Sequence, residues 1–215
     1  MIEARAGTTW LPHLILVTGV VIFAFPIYMA LIGSTHDAGT IGRGSLPLYP
    51  GEFGVENYSQ AWTQGSGQRV MAVPVAGMMF NSLVMAIVIA VGKIAISIIS
   101  AYAVVFFRFP LRMFFFWMIF ITLMLPVEVR IIPTFKVVSD LGMINTFAGL
   151  TVPLIASATA TLLFRQFFLT IPDELVEAAK IDGAGPLRFF KEIVVPLSRT
   201  NVAALFVILF IYGWN

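Results

Sequence analysis

Lys93 is the sole charge within an apolar run that extends from Phe80 to Phe107. Placing a cation in lipid costs about 2.5–3.5 kcal/mol, and such groups ordinarily face a cavity or a partner. An anionic solute, such as a phosphate ester, would need a charge of this kind along its path. The same lysine would also suit snorkelling to the interface or pairing with polar groups of a neighbouring subunit. Glu128 and Arg130 stand just past Pro126, where another apolar run ends. A guanidinium recognises phosphate or carboxylate bidentately; a local ion pair or a contact with a docked protein is the other reading of this pair. Lys93 and Arg130 are therefore the candidate residues of a solute path. His13, near the start of a further apolar run, reads as a packing or interface residue.

Other chemistry is not expected. The chain contains no cysteine, which removes disulfides, thiolate metal sites and cysteine nucleophiles. Gly-x-x-x-x-Gly-Lys-Ser/Thr is absent, so hydrolysis of ATP is not expected of this chain. No His/Asp/Glu cluster has metal-ligand spacing and no nucleophile–base pair stands out. No catalytic, cofactor or metal site is predicted. A formal charge of +2 gives no reason to expect a nucleic-acid partner.

The elements that must position these charges are membrane helices. Hydrophobic residues make up 59% of the chain and charged ones 11%. A soluble domain carries about 25% charged residues, so a water-facing surface could not be covered. A bilayer core of about 30 Å needs roughly 20 mainly apolar residues in a helix. The pattern predicts spans at 11–32, with Pro26 as a kink, at 80–107, at 113–127 and at 147–164, and the start of a fifth at 202–215. The first is longer than a signal-peptide core of about 7–15 residues and has no convincing cleavage site, so it reads as a retained span. Between the spans lie a polar N-terminus at 1–10, a long loop at 33–79 with a short helix around Val55 to Trp62, a tight turn at 108–112, a loop at 128–146 and a polar segment at 165–201.

Lys/Arg bias in short loops gives the orientation. With the N-terminus in the cytoplasm, inner segments hold Arg5, Arg108, Arg112, Arg165, Lys180, Arg188, Lys191 and Arg199. Outer segments hold half as many: Arg43, Arg69, Arg130 and Lys136. The loops at 33–79 and 128–146 are then extracytoplasmic, and 165–201 is cytoplasmic. That last segment reads as two short helices. Thr170 is a candidate cap, Pro172 tolerates a first turn, and Asp173 and Glu174 favour the positive end of the helix dipole. The helix should stop at Gly183, and Pro186 should open a second one. Leu175, Val176, Ala179 and Ile181 make this knob too apolar for a solvated linker.

The knob also matches a known pattern. Glu177-Ala178-Ala179, three residues, Gly183, nine residues, then Ile193-Val194-Val195-Pro196 resembles the cytoplasmic EAA loop of binding-protein-dependent ABC importers, with Val195 where leucine is usual. From Asn81 onward the chain is similar to permeases of the carbohydrate-uptake, maltose-type group, so the permease core is 81–215. Phe115 to Arg130, Ala156 to Thr161, Phe164 to Phe168 and Phe210 to Asn215 are similar to the second permease subunits of bacterial sn-glycerol-3-phosphate importers.

The resemblance implies an all-α, six-span permease of the bacterial inner membrane, of which five spans are visible and the remainder is expected to be missing. It implies a heterodimer with a second permease, two copies of an ABC ATPase that binds the ATP and Mg, and an extracytoplasmic solute-binding protein. It assigns ATPase coupling to Glu177, Ala178, Ala179, Asp182 and Gly183. Its implied solutes are sn-glycerol-3-phosphate and glycerophosphodiesters, with a sugar or oligosaccharide as the alternative within the group. A secondary transporter or channel without an ATPase, with Lys93 as its coupling charge, is the alternative in another class.

Overall fold

The structure is a computed structural model that describes residues 10–44, 47–65, 73–122 and 124–214. Arg5, Arg69, Leu123 and Asn215, used in the reading above, lie outside the described residues, as do residues 1–9. Among the described residues every regular element is a helix. The chain divides into two compact units, residues 1–79 and 80–215.

The first unit begins with α1, Trp10–Gly33, whose 24 residues run unbroken through Pro26. At 1.5 Å per residue it is about 36 Å long, enough to cross a bilayer core. Ser34, Thr35 and His36 end it with backbone bonds to Ala30, Ile32 and Gly33. Asp37 then caps α2, Ala38–Gly42, by accepting from the Gly39 and Thr40 amides. α3, Gly54–Thr63, matches the short helix read at Val55 to Trp62. α2 was not foreseen.

The second unit is arranged along α4, Val75–Phe106, whose 32 residues make it about 48 Å long. Ala86, Ala90, Ser97 and Ala101 are fully buried along it. Their spacing of four, seven and four places them on one stripe, and their small side chains let other helices approach. α12, Arg199–Trp214, comes so close that a Cβ added to Gly213 would lie 3.1 Å from the Ala86 Cα.

The apolar run read as a third span is not one helix. α5, Arg112–Ile121, stops well before Val127. Pro126 disfavours helix in the residue before it, and α6, Val127–Asp140, starts only beyond it. The segment 128–146, read as a loop, thus carries a helix. Glu128, Arg130, Lys136 and Asp140 made it look like loop, although apolar residues alternate with them on α6. The run at 147–164 is also broken. α7, Phe147–Thr151, continues as a 3-10 turn through Leu154, and α8, Ala158–Phe168, leaves it at 44°. Ser157 caps α8 through the Ala160 amide, and its carbonyl accepts from the Thr161 amide and from the Ser97 and Thr161 hydroxyls. α5 packs on α8, with the Arg165 guanidinium 4.3 Å from the centre of the Phe116 ring, a cation–π arrangement.

Candidate functional site

The knob is built from α9, Asp173–Ile181, and α10, Pro186–Phe189, followed by a π-helical stretch, Phe190–Val194, and the single turn α11, Val195–Leu197. Asp173 and Glu174 occupy the first turn of α9 as expected. Thr170 does not cap it. Pro172 sits at the cap position without a side-chain bond, and the Thr170 hydroxyl instead donates to the Phe167 carbonyl at 2.7 Å. The preceding helix α8 ends there, and its open carbonyls compete for the hydroxyl.

The C-terminus of α9 closes on a left-handed glycine. Gly183 has φ +71°, its amide donates to the Lys180 carbonyl, and the Ala184 amide donates to that of Ala179 at 2.8 Å. These two bonds satisfy carbonyls that the helix end would leave open. A Cβ at Gly183 would meet nothing within 4 Å, so the demand for glycine comes from the backbone angle alone.

One side of the knob is anchored in its own chain. Ala179 is buried in the core with Ala101, Tyr102, Phe168 and Phe189. The Tyr102 hydroxyl donates to the Pro186 carbonyl at 2.7 Å, and its ring lies 4.8 Å from that of Phe190. A small cavity of about 260 Å³ remains between α4 and the knob, lined by Tyr102, Phe106, Val176, Ala179, Ala184 and Phe189 among others. Of the coupling set read from the sequence, Ala179 therefore serves as an anchor, while Glu177, Ala178, Asp182 and Gly183 lie on the exposed side.

Two apolar residues on that exposed side, Ile181 and Leu187, were not assigned to the coupling set. Ile181 is 86% and Leu187 79% exposed. The signal was present: at 100° per residue, Ile181 lies on the face of Glu177 and Ala178 and roughly opposite Ala179. Leu187 has no comparable periodic signal, because α10 has only 4 residues. At the far end of the knob, α12 leaves the Pro186–Leu197 helices at 69°. Ser198 is the corner, fully buried, its hydroxyl donating to the Val194 carbonyl at 2.6 Å.

The second site is a cavity of about 530 Å³, and both solute-path candidates line it. Lys93 comes from α4 and Arg130 from α6, with Thr134, Asn145 and the Pro153-Leu154 turn completing much of the wall. Lys93 is half-buried and Arg130 is exposed. Among the described residues of the lining there is no carboxylate. Glu128 is exposed and does not line this cavity. The lining thus brings two cations together with a hydroxyl and an amide group. Asn145 was missed; it sits in a left-handed conformation with φ +59° between α6 and α7. His13 lies in the first turn of α1, in the other unit.

The family model for the binding-protein-dependent transport system inner membrane component matches residues 93–215, which hold both sites. The chain belongs to this family. Among curated relatives, the sn-glycerol-3-phosphate transport system permease protein UgpE of Brucella abortus (strain 2308) is 63% identical over all of this chain and 76% of its own length. The protein of the same name from Rhizobium meliloti is 62% identical and that from Salmonella typhi 58%, with the same coverage. Among solved structures, a bacterial ABC transporter involved in the import of the acidic polysaccharide alginate has the same fold, with a TM-score of 0.76 over all of this chain and 74% of that one, at 21% identity. As a member of this inner membrane permease family the chain is a transport component, and its apolar helices are membrane helices.

Proposed function

We propose that this permease carries sn-glycerol-3-phosphate, or a glycerophosphodiester, delivered by a binding protein, and that its knob couples it to an ABC ATPase. The meeting of Lys93 and Arg130 in one carboxylate-free cavity supports an anionic solute. The names of the relatives support that particular phosphate ester. A second permease would complete the pathway, and two ATPase subunits would supply the ATP and Mg. The knob would lie on the cytoplasmic side, as the Lys/Arg distribution implies.

In this mechanism the permease does no covalent chemistry. Glu177, Ala178, Asp182, Ile181 and Leu187 form the surface that a partner ATPase would grip. Closure of the ATPases on ATP would displace the knob, and the Ala179 and Tyr102 contacts would pass that displacement to α4. Because α4 is one continuous helix that also bears Lys93, movement at its end alters the cavity.

Uptake of labelled sn-glycerol-3-phosphate by proteoliposomes holding the full transporter tests the solute site. Lys93→Met with Arg130→Ala should reduce uptake by at least tenfold while the ATPase still co-purifies. Uptake at the wild-type rate would remove both residues from the path. The absence of native cysteine makes orientation equally testable. Lys191→Cys should react with an impermeant thiol reagent only after cells are permeabilised, and labelling of intact cells would reverse the assignment.

A further inference from the structure

The loop that follows α1 folds back onto the helix it leaves. The Tyr28 hydroxyl donates to the Leu48 carbonyl at 2.5 Å, although Tyr28 stands more than a turn before the end of α1 at Gly33. Helical side chains lean toward the N-terminus, so this bond holds Leu48 at or below the level of Tyr28, about 7 Å short of the helix end. Leu48 and Tyr49 are 60% and 67% exposed there.

The same fold ties down α3. Asn57 donates from its side-chain amide to both the Ser34 and His36 carbonyls, and the Tyr58 and Ser34 hydroxyls are 3.0 Å apart. Phe53 donates its amide to the Thr35 carbonyl, and the buried His36 ring bonds the Tyr49 carbonyl at 3.0 Å. α3 therefore starts beside the last turn of a membrane span. Val55, Tyr58 and Trp62, at helical spacing, form one apolar stripe along it that is exposed throughout. Glu56, Ser59 and Gln60 occupy the other exposed side.

We propose that Leu48, Tyr49 and the Val55–Tyr58–Trp62 stripe rest in the headgroup region of the leaflet where α1 ends, so that α3 is an interfacial helix. Three features of this region select lipid as the occupant. The patch is continuous with the lipid-embedded surface of α1. Its loop is bonded to α1 at the depth of the span's last turns. Its exposed composition is one valine, one leucine and a group of tyrosine and tryptophan, the side chains whose apolar bodies and polar tips suit the membrane interface. The anchor would fix the outer end of α1 in depth and keep the loop from swinging into water.

Single spin labels test this, since residues 1–215 hold no cysteine. Val55→Cys, Trp62→Cys and Gln60→Cys would be labelled one at a time in the full-length subunit, assembled with its partner permease and ATPase in proteoliposomes. At 55 and 62, collision with lipid-soluble oxygen should exceed collision with a water-soluble nickel chelate severalfold, and at 60 the order should reverse. High nickel access at all three positions would place α3 in water and overturn the proposal. Protection from both reagents at 55 and 62 would show that protein covers the stripe, which would also overturn it. A variant that keeps Trp62 native, with Trp10, Trp117 and Trp214 changed to Phe, serves as a second reading. Brominated phosphatidylcholine should quench its emission strongly, and emission unaffected by the brominated lipid would contradict the interfacial placement.

Discussion

Around Tyr102, near the C-terminal end of α4, aromatic rings from three helical segments meet at 4.8 to 5.3 Å, and Ala179 and Phe189 are buried among them. Around Lys93, about 13 Å back along the same helix, the wall is a cavity bounded by a helix that has been interrupted at Pro126 and a pair bent by 44°. One end packs rings around a Tyr102 hydroxyl that is hydrogen-bonded, and leaves only a small cavity. The other leaves volume, two cations and a bend. A closely packed interior transmits displacement because its contacts resist change, whereas a broken, half-open wall can rearrange at small cost. The difference suits a permease that must be gripped at one end and must reshape a passage at the other.

Breaking the packed end should have the largest effect. Gly183→Val places a β-branched residue at φ +71°, a backbone cost of about 1–2 kcal/mol, and unravels the end of α9. The expected result is a subunit that inserts normally but loses most of its co-purifying ATPase. Gly183→Asn, which tolerates the left-handed region better, should restore much of it. Equal loss in both variants would mean that something other than backbone angle makes glycine necessary.

Ala179→Phe should come next. It forces a ring into the aromatic cluster, and overpacking of this kind costs about 1–3 kcal/mol. Thermal unfolding of the purified assembly should shift down and solute-driven ATP turnover should fall with it. Tyr102→Phe removes only the hydroxyl bond to Pro186, worth about 0.5–1.5 kcal/mol, so a smaller loss of coupling is expected with basal ATP turnover retained. Glu192→Gln breaks the exposed Arg188–Glu192 pair, worth about 0.3–0.5 kcal/mol, and should leave transport unchanged. A strong defect there would mean that the gripped surface extends past Leu187 onto the Phe190–Val194 stretch.

How legible each region was follows from how it is assembled. The knob comes from one stretch of chain. Pro172, Gly183 and Pro186 punctuate it, and both ends of α9 and the start of α10 could be read within a residue or two, whereas the π-helical continuation at Phe190–Val194 could not. What escaped was the partition of the coupling set, since Glu-Ala-Ala does not announce that Ala179 faces inward; the apolar Tyr102–Phe189 cluster decides that. The cavity joins α4, α6 and the turn at Pro153. Lys93 and Arg130 were each visible as unusual charges, but their meeting depends on how α6 returns toward α4. Arg130 and Lys136 disguised α6 as loop, and the break at Ser157 hid within a run of small residues that also suits an unbroken span.

The central claim is that α4 joins an anion-binding cavity to an ATPase-gripping knob. Solute-stimulated ATP turnover measures both ends together, in a full-length subunit reconstituted with its partner permease, ATPase and binding protein. The account predicts that wild-type turnover rises when the binding protein is loaded with sn-glycerol-3-phosphate, and that Lys93→Met with Arg130→Ala abolishes most of this rise while ATPase association and basal turnover stay near wild type. A double variant that responds to loaded binding protein as fully as the wild type would contradict it.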